Sequence, residues 1–234
     1  GLSLVGSEMC IRDRIIITAR REGELIKLKE EVESTSNSNV IVIAKDLAKP
    51  NSPQEIYDFC QSKNYEVEFL VNNAGYGFTD DFHSYDLDKL DDFLNVLLNS
   101  VVKLTRLFLK DMKERKSGKI LQVSSIAGII PSGSGAIGIY GNIKNFINEF
   151  TITLNSTYKK FNVHVCALCP GFTETGFNER AGFNMQYSDV PSPFLMTAKQ
   201  VAEQGVKACL KGKEIYVVRG GFNKTMILSL IHIS

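Results

Sequence analysis

The chain has 234 residues, 44% of them hydrophobic and 23% charged, with a formal net charge of +1. That is enough for one well-buried domain, and no shift in composition marks a second. Lys and Arg are dispersed, which argues against a nucleic-acid or anionic-membrane surface, and no apolar run reaches the ~18 residues of a spanning helix.

From Ile15 onward strand and helix signals alternate, the pattern of a parallel sheet covered by helices on both faces. Ile15–Thr18 is a β-branched run suited to a strand buried on both sides. Glu22–Ser34 carries Leu25, Ile26, Leu28 and Val32 along one helical face. Val40–Ile43 is the next strand, and Pro53 starts a short helix that turns Ile56, Phe59 and Cys60 inward. Val67–Val71 is a third strand, halted by Asn72-Asn73-Ala74-Gly75. One unbroken helix is expected from about Leu87 to Glu114, capped by Asp86, followed by a strand at Lys119–Val123. A Gly/Ser/Pro loop over 128–138 leads to a helix from about Tyr140 to Lys159. Val163–Leu168 is the fifth strand, ending at Cys169-Pro170-Gly171. Residues 172–196 read as a long loop with five aromatics, Phe172, Phe177, Phe183, Tyr187 and Phe194. Thr197 and Gln200 form a capping box for the last helix, and Glu214–Val218 closes the sheet.

Cys10, Cys60, Cys166, Cys169 and Cys209 show no disulfide spacing, so a reducing cytoplasm is the expected compartment. Cys166-Ala-Leu-Cys169 has neither a second pair nor a histidine at ligand spacing, and is expected to pack in its strand rather than bind metal. His83, His164 and His232 read as structural or exposed.

The chemistry centres on Tyr140 and Lys144, which share a helical face at i, i+4. A free phenol titrates near pH 10 and is a poor acid–base at neutrality; a cation ~4 Å away at an effective dielectric of ~20 favours the phenolate by up to about 4 kcal/mol. Tyr85 and Lys89 have the same spacing, but no hydroxyl pair at a strand end precedes them. Tyr140 follows Val123-Ser124-Ser125, where a buried strand ends, and ligands of open α/β sheets bind outside the carboxyl ends of the strands.

Asn72-Asn73-Ala74-Gly75, Ser124-Ser125-Ile126-Ala127-Gly128, Tyr140-x-x-x-Lys144 and Pro170-Gly171-x-x-x-Thr175 occur in this order between about Ile15 and Lys224. In this the chain is similar to the compact branch of the short-chain dehydrogenase/reductase family. The resemblance implies a single doubly wound, Rossmann-like α/β domain that transfers a hydride between a nicotinamide cofactor and a carbonyl or alcohol substrate, and a homodimer through the long helices. It implies that Tyr140 moves the substrate proton, Lys144 holds the ribose hydroxyls and lowers the tyrosine pKa, and Ser125 hydrogen-bonds the carbonyl oxygen. It places Asp46 at the adenine, Asn73, Ala74 and Gly75 along the adenosine ribose, and Pro170, Gly171, Thr173 and Thr175 beside the nicotinamide and its phosphates. The bland readings are a strand-end cap for the serines, plain turns for the Asn-Asn-Ala-Gly and Pro-Gly segments, and a loop-amide partner for Asp46.

NAD-selective relatives carry a carboxylate at the end of the strand that begins at Ile15; here Ala19 is followed by Arg20 and Arg21, whose guanidinium groups suit the 2′-phosphate of NADP. NADP is therefore expected ahead of NAD, and the aromatic loop points to an apolar substrate. Two departures stand against the family pattern: Leu97 occupies the place of a family asparagine that holds a relay water, and Ser125 and Tyr140 are spaced two residues further apart than usual. Asn95 and Asn99 flank Leu97, but a two-residue shift turns a helix by about 200°, so neither substitutes without a local bulge. Leu97 favours the alternative of an inactive relative that acts as a binding protein. The first strand and glycine-rich turn of the fold are expected to be missing. Residues 3–14 and 228–234 resemble translated adapter sequence, and residues 1–14 and 228–234 are expected to lie outside a domain at 15–227.

Overall fold

The computed structural model describes residues 14–77, 82–130, 138–175 and 195–218. Its main strands form a two-stranded and a four-stranded parallel sheet. β1 (Arg14–Ala19) pairs with β2 (Asn39–Ala44), Ile15 opposite Val40. β3 (Phe69–Asn72), β4 (Gly118–Val123), β5 (Val163–Cys169) and β8 (Ile215–Val217) pair in that order. Between them run α1 (Glu22–Thr35), α2 (Ser52–Ser62), α3 (Leu87–Leu94), α4 (Ser100–Glu114), α5 (Gly138–Tyr158) and α6 (Ala198–Leu210). Parallel strands need such crossovers, and the crossovers cover both faces of the sheet.

The alternation of the central strands divides the core in two. β4 sends Ile120 and β5 sends Val163 and Val165 to one face, where Ile56, Cys60, Phe93, Leu97, Leu104, Phe108 and Met112 pack. Leu121, Cys166 and Leu168 point to the other, against Val201, Ala208 and Cys209 of α6. Cys166 and Cys169 thus pack in β5 as expected of a strand. The two-sided burial expected for β1 is not met: Ile15, Ile16 and Ile17 are only partly buried. Among the described residues β1 has β2 as its one ladder partner and β3 has β4, and Val71 of β3 is 42% exposed.

Two elements differ from the expectation. The helix after Asp86, which caps it through a bond from Lys89 N (3.0 Å), is broken by a π-turn over Asn95–Asn99. Ser100 N reaches back to the Asn95 carbonyl, and Ser100 Oγ donates to Val96 O at 2.7 Å. At 100° per residue Phe93, Leu97, Leu104 and Phe108 fall within about 60° of one another, and all four are buried. Second, the loop expected over 172–196 contains a short parallel pair, β6 (Thr173–Glu174) with β7 (Met196–Thr197). Thr197 then caps α6 with Gln200 in the expected box. Residues 131–137 and 176–194, with Phe177, Phe183, Tyr187 and Phe194, lie outside the described residues, as do residues 1–13 and 219–234. No helix among the described residues is long and apolar enough to cross a membrane.

A buried polar knot locks β3, β4 and α4 together. Asn72 lies opposite Gln122 in the ladder; Asn72 Nδ2 donates to Gln122 Oε1 (2.9 Å) and Thr105 Oγ1 (3.0 Å), and Gln122 Nε2 donates to Thr105 Oγ1 (2.9 Å). Thr105 and Gln122 are fully buried, so each amide depends on the others for partners. Thr105→Val keeps the shape and removes the shared acceptor. It is expected to cost about 1–3 kcal/mol, read as a lower urea midpoint with an unchanged m-value.

Candidate active site

The carboxyl ends of β1 to β5 carry the candidate residues. β4 ends at Val123, and its continuation turns sharply: Ser125 caps the short helix Ile126–Gly128, its Oγ accepting from Ala127 N at 3.1 Å. Ser124 Oγ donates to the Lys144 carbonyl at 3.0 Å, which ties this turn to the first turns of α5. The approach is close because Gly128 has no side chain; a Cβ there would lie 2.5 Å from the Lys144 carbonyl carbon.

That contact sets the candidate pair. The side chains of Ser125 and Tyr140 are hydrogen-bonded, and Lys144 Nζ lies 5.5 Å from the centre of the Tyr140 ring. The ammonium is 6% exposed and donates to Val123 O at 2.7 Å. Ser125, Tyr140 and Lys144 are therefore brought together as expected. The decoy pair is not built this way: Tyr85 is buried ahead of α3, edge-on to Phe82, while Lys89 is exposed.

The electrostatics differ from the expectation that Lys144 lowers the tyrosine pKa. Burial pushes the Tyr140 phenol up to about 12, with the Ser125 hydrogen bond opposing it. Burial also pulls the Lys144 ammonium down to about 8. Desolvation of two groups that share one dry pocket outweighs their attraction here, because Nζ is committed to the Val123 carbonyl and sits by the ring.

The proposed cofactor residues line the same edge. Arg20 and Arg21 are exposed directly after β1, Asp46 follows β2, and Asn73, Ala74 and Gly75 are exposed after β3. Tyr76, which the sequence reading passed over, gathers them: its ring packs edge-on against Phe93 (5.4 Å) and its phenol feels the charges of Asp92, Arg20 and Asp46. Its position next to Gly75 is the only signal for it in the sequence. Asp46 Oδ1 accepts from Ala48 N at 3.0 Å, so the loop-amide reading of this residue holds as well. Gly75 is open toward the pocket, where a Cβ would lie 3.9 Å from both Leu97 Cγ and Lys144 Nζ. At β5, the Pro170 carbonyl accepts from Ile126 N (2.9 Å), and Thr173 Oγ1 donates to the Gly171 carbonyl (3.1 Å). Thr175 Oγ1 bonds Thr173 O at 3.4 Å. No cluster of metal-ligating side chains occurs among the described residues.

The short chain dehydrogenase family matches residues 7–185. The chain belongs to that family. It is 27% identical over 213 residues to a very-long-chain 3-oxoacyl-CoA reductase of Homo sapiens, covering 88% of this chain and 65% of that protein. The Rattus norvegicus reductase of the same name is 26% identical over 219 residues, 91% of this chain and 67% of the other. The chain thus spans about two thirds of the length of these relatives. Among solved structures it is similar to a short-chain dehydrogenase from Sphingobium yanoikuyae in complex with NADPH, with a TM-score of 0.80 at 18% identity, over 94% of this chain and 84% of that one. The likeness confirms the Rossmann-like parallel α/β fold.

Leu97 lies within the π-turn. The π-turn does not bring either asparagine inward: Asn99 is exposed and its Nδ2 donates to Asn95 Oδ1 at 2.8 Å. Leu97 is 1% exposed, and its Cγ lies 3.9 Å from where a Gly75 Cβ would sit.

The buried ammonium gives a pH test. With its pKa near 8 in the fold and near 10.5 unfolded, Lys144 binds a proton more weakly in the folded state. Its cost is fully present below pH 8 and is relieved as pH rises through about 10.5. Lys144→Met is expected to raise the unfolding free energy at pH 7 by up to about 3 kcal/mol, less whatever the orphaned Val123 carbonyl costs, read as a higher urea midpoint. The advantage of the variant should shrink steadily between pH 8 and 10.5. A constant difference across that range would show that the ammonium is not desolvated.

Proposed function

We propose that this protein reduces the carbonyl of an apolar substrate with NADPH. The observation that carries the reading is the Ser125–Tyr140–Lys144 arrangement at the carboxyl end of β4. A reduced nicotinamide, when bound, supplies the hydride. The chain's own groups do the rest. Ser125 hydrogen-bonds the carbonyl oxygen, Tyr140 gives its phenolic proton to that oxygen as the alcohol forms, and Lys144 holds the ribose hydroxyls. A phenol pushed up to about 12 by burial carries its proton at neutral pH, the form that donates to the carbonyl oxygen.

Arg20 and Arg21 support NADP over NAD, since both are exposed at the end of β1, with Asp46 and the Asn73–Gly75 turn close by. Guanidinium forks suit a phosphate ester. The relatives' name suggests a 3-oxoacyl thioester as the substrate class, in keeping with the aromatic residues between 172 and 194. Leu97 is the observation that favours the rival, a non-catalytic relative. Against it stands the intact hydrogen-bonded serine, tyrosine and lysine.

Tyr140→Phe should abolish nearly all NADPH-dependent reduction of 3-oxoacyl and aromatic ketone probes while leaving NADPH affinity within about twofold. Equal activity in Tyr140→Phe and the unsubstituted protein would remove the assignment. In titrations, NADPH should bind at least about tenfold tighter than NADH, a preference of ~1.4 kcal/mol. Arg20→Ala should erase most of that ratio by weakening NADPH alone. A ratio of one in the unsubstituted protein would count against the arginine reading.

A further inference from the structure

Asn145 and Asn148 lie three residues apart on α5, directly beyond Lys144, on the side that meets the turn after β4. Both side-chain amides donate to one acceptor, the Gly128 carbonyl, at 3.0 and 3.2 Å. A carbonyl oxygen has two lone pairs, and here an asparagine meets each. Asn148 is 3% exposed, and its Oδ1 in turn accepts from Cys169 Sγ at 3.5 Å. The clasp therefore spans three segments: the turn that begins with Ser125, the helix that carries Tyr140 and Lys144, and the strand end that leads into Pro170-Gly171.

The clasp also reaches the reacting groups. Gly128 N donates to the Ser125 carbonyl (3.1 Å), and Ala127 N donates to Ser125 Oγ (3.1 Å), so the two ends of the turn are bonded to each other. Fixing its last carbonyl fixes the serine at its start. The spacing between Ser125 and Tyr140 is wide, so chain connectivity alone leaves their relative position free. Neither asparagine contributes to the hydride-transfer chemistry described above.

We infer that Asn145 and Asn148 are positioning residues for proton transfer, holding the Gly128 carbonyl so that the Ser125 hydroxyl meets the Tyr140 phenol. The inference rests on the proposed reductase reading. Asn145 is exposed, so its substitution tests the clasp without emptying the core. Asn145→Asp keeps the shape but cannot donate; Asn145→Gln keeps the amide. The full chain is assayed for NADPH-dependent reduction of 4-nitrobenzaldehyde, for NADPH affinity by titration, and for amide hydrogen exchange at Ile126–Ile129. Asn145→Asp should lower kcat about tenfold with NADPH affinity held within about twofold, since small misplacements of reacting groups act on kcat. Exchange at Ala127 and Gly128 should quicken. The alkaline limb of the kcat profile should move up, because the Ser125 bond is what opposes the effect of burial on Tyr140. Asn145→Gln should recover most of the rate, and adding Asn148→Asp should deepen the loss. Unchanged exchange, or unchanged kcat with quickened exchange, overturns the clasp. Parallel losses of kcat, affinity and thermal midpoint overturn a positioning role in favour of a structural one. An unsubstituted protein that reduces no carbonyl at all overturns the reductase reading itself, and the catalytic half of this inference with it.

Discussion

A buried ammonium needs an acceptor, and that need organises the working end of this sheet. Lys144 finds it in the Val123 carbonyl, the last residue of β4. The bond draws α5 down onto the strand end, and the bond from Ser124 Oγ to the Lys144 carbonyl draws it from the other side. The fit is tight enough that Gly128 has room for nothing but hydrogen, with α5 backbone atoms within 3 Å of where a Cβ would lie. Backbone against backbone cannot yield as a flexible side chain can. The placement of Ser125 beside Tyr140 follows from this docking rather than from any direct tie along the chain.

The same docking sets the electrostatics. Bringing a phenol and an ammonium into one dry pocket moves both pKa values toward the neutral forms, Tyr140 up and Lys144 down. Pairing acts in the opposite sense for both groups, and it would win if Nζ lay at the phenolic oxygen with its other protons free. Here one donor goes to Val123, while the charge lies by the ring, 5.5 Å from its centre. Burial prevails, and the tyrosine is left as a proton donor with its hydrogen bond to Ser125 as the main opposing influence.

The strands and most helices were legible because apolar period and punctuation agree in them: Val40–Ala44 and Val165–Cys169 are β-branched or apolar throughout, and Asp86 and Thr197 cap as their sequence context dictates. The catalytic three were legible through order and spacing. The π-turn was not, since Asn95–Asn99 has ordinary helix-compatible residues. Nor was the knot of Asn72, Thr105 and Gln122, whose members lie far apart in the chain and meet only when β3, β4 and α4 assemble. Asn145 and Asn148 carried a faint signal, two amides at i, i+3 beyond the lysine, which read as polar surface without the Gly128 carbonyl in view.

Leu97 shows how a register argument and a packing argument meet. The π-turn is the bulge that could have swung Asn95 or Asn99 toward Lys144, yet it leaves them bonded to each other away from the lysine. The reason is the stripe around them. Phe93, Val96, Val101 and Leu104 are all buried on this helix. Presenting an amide to the pocket would turn part of that face to water, at a cost that one hydrogen bond to the lysine does not match. The leucine therefore closes the inner wall of the pocket with carbon, beside Gly75.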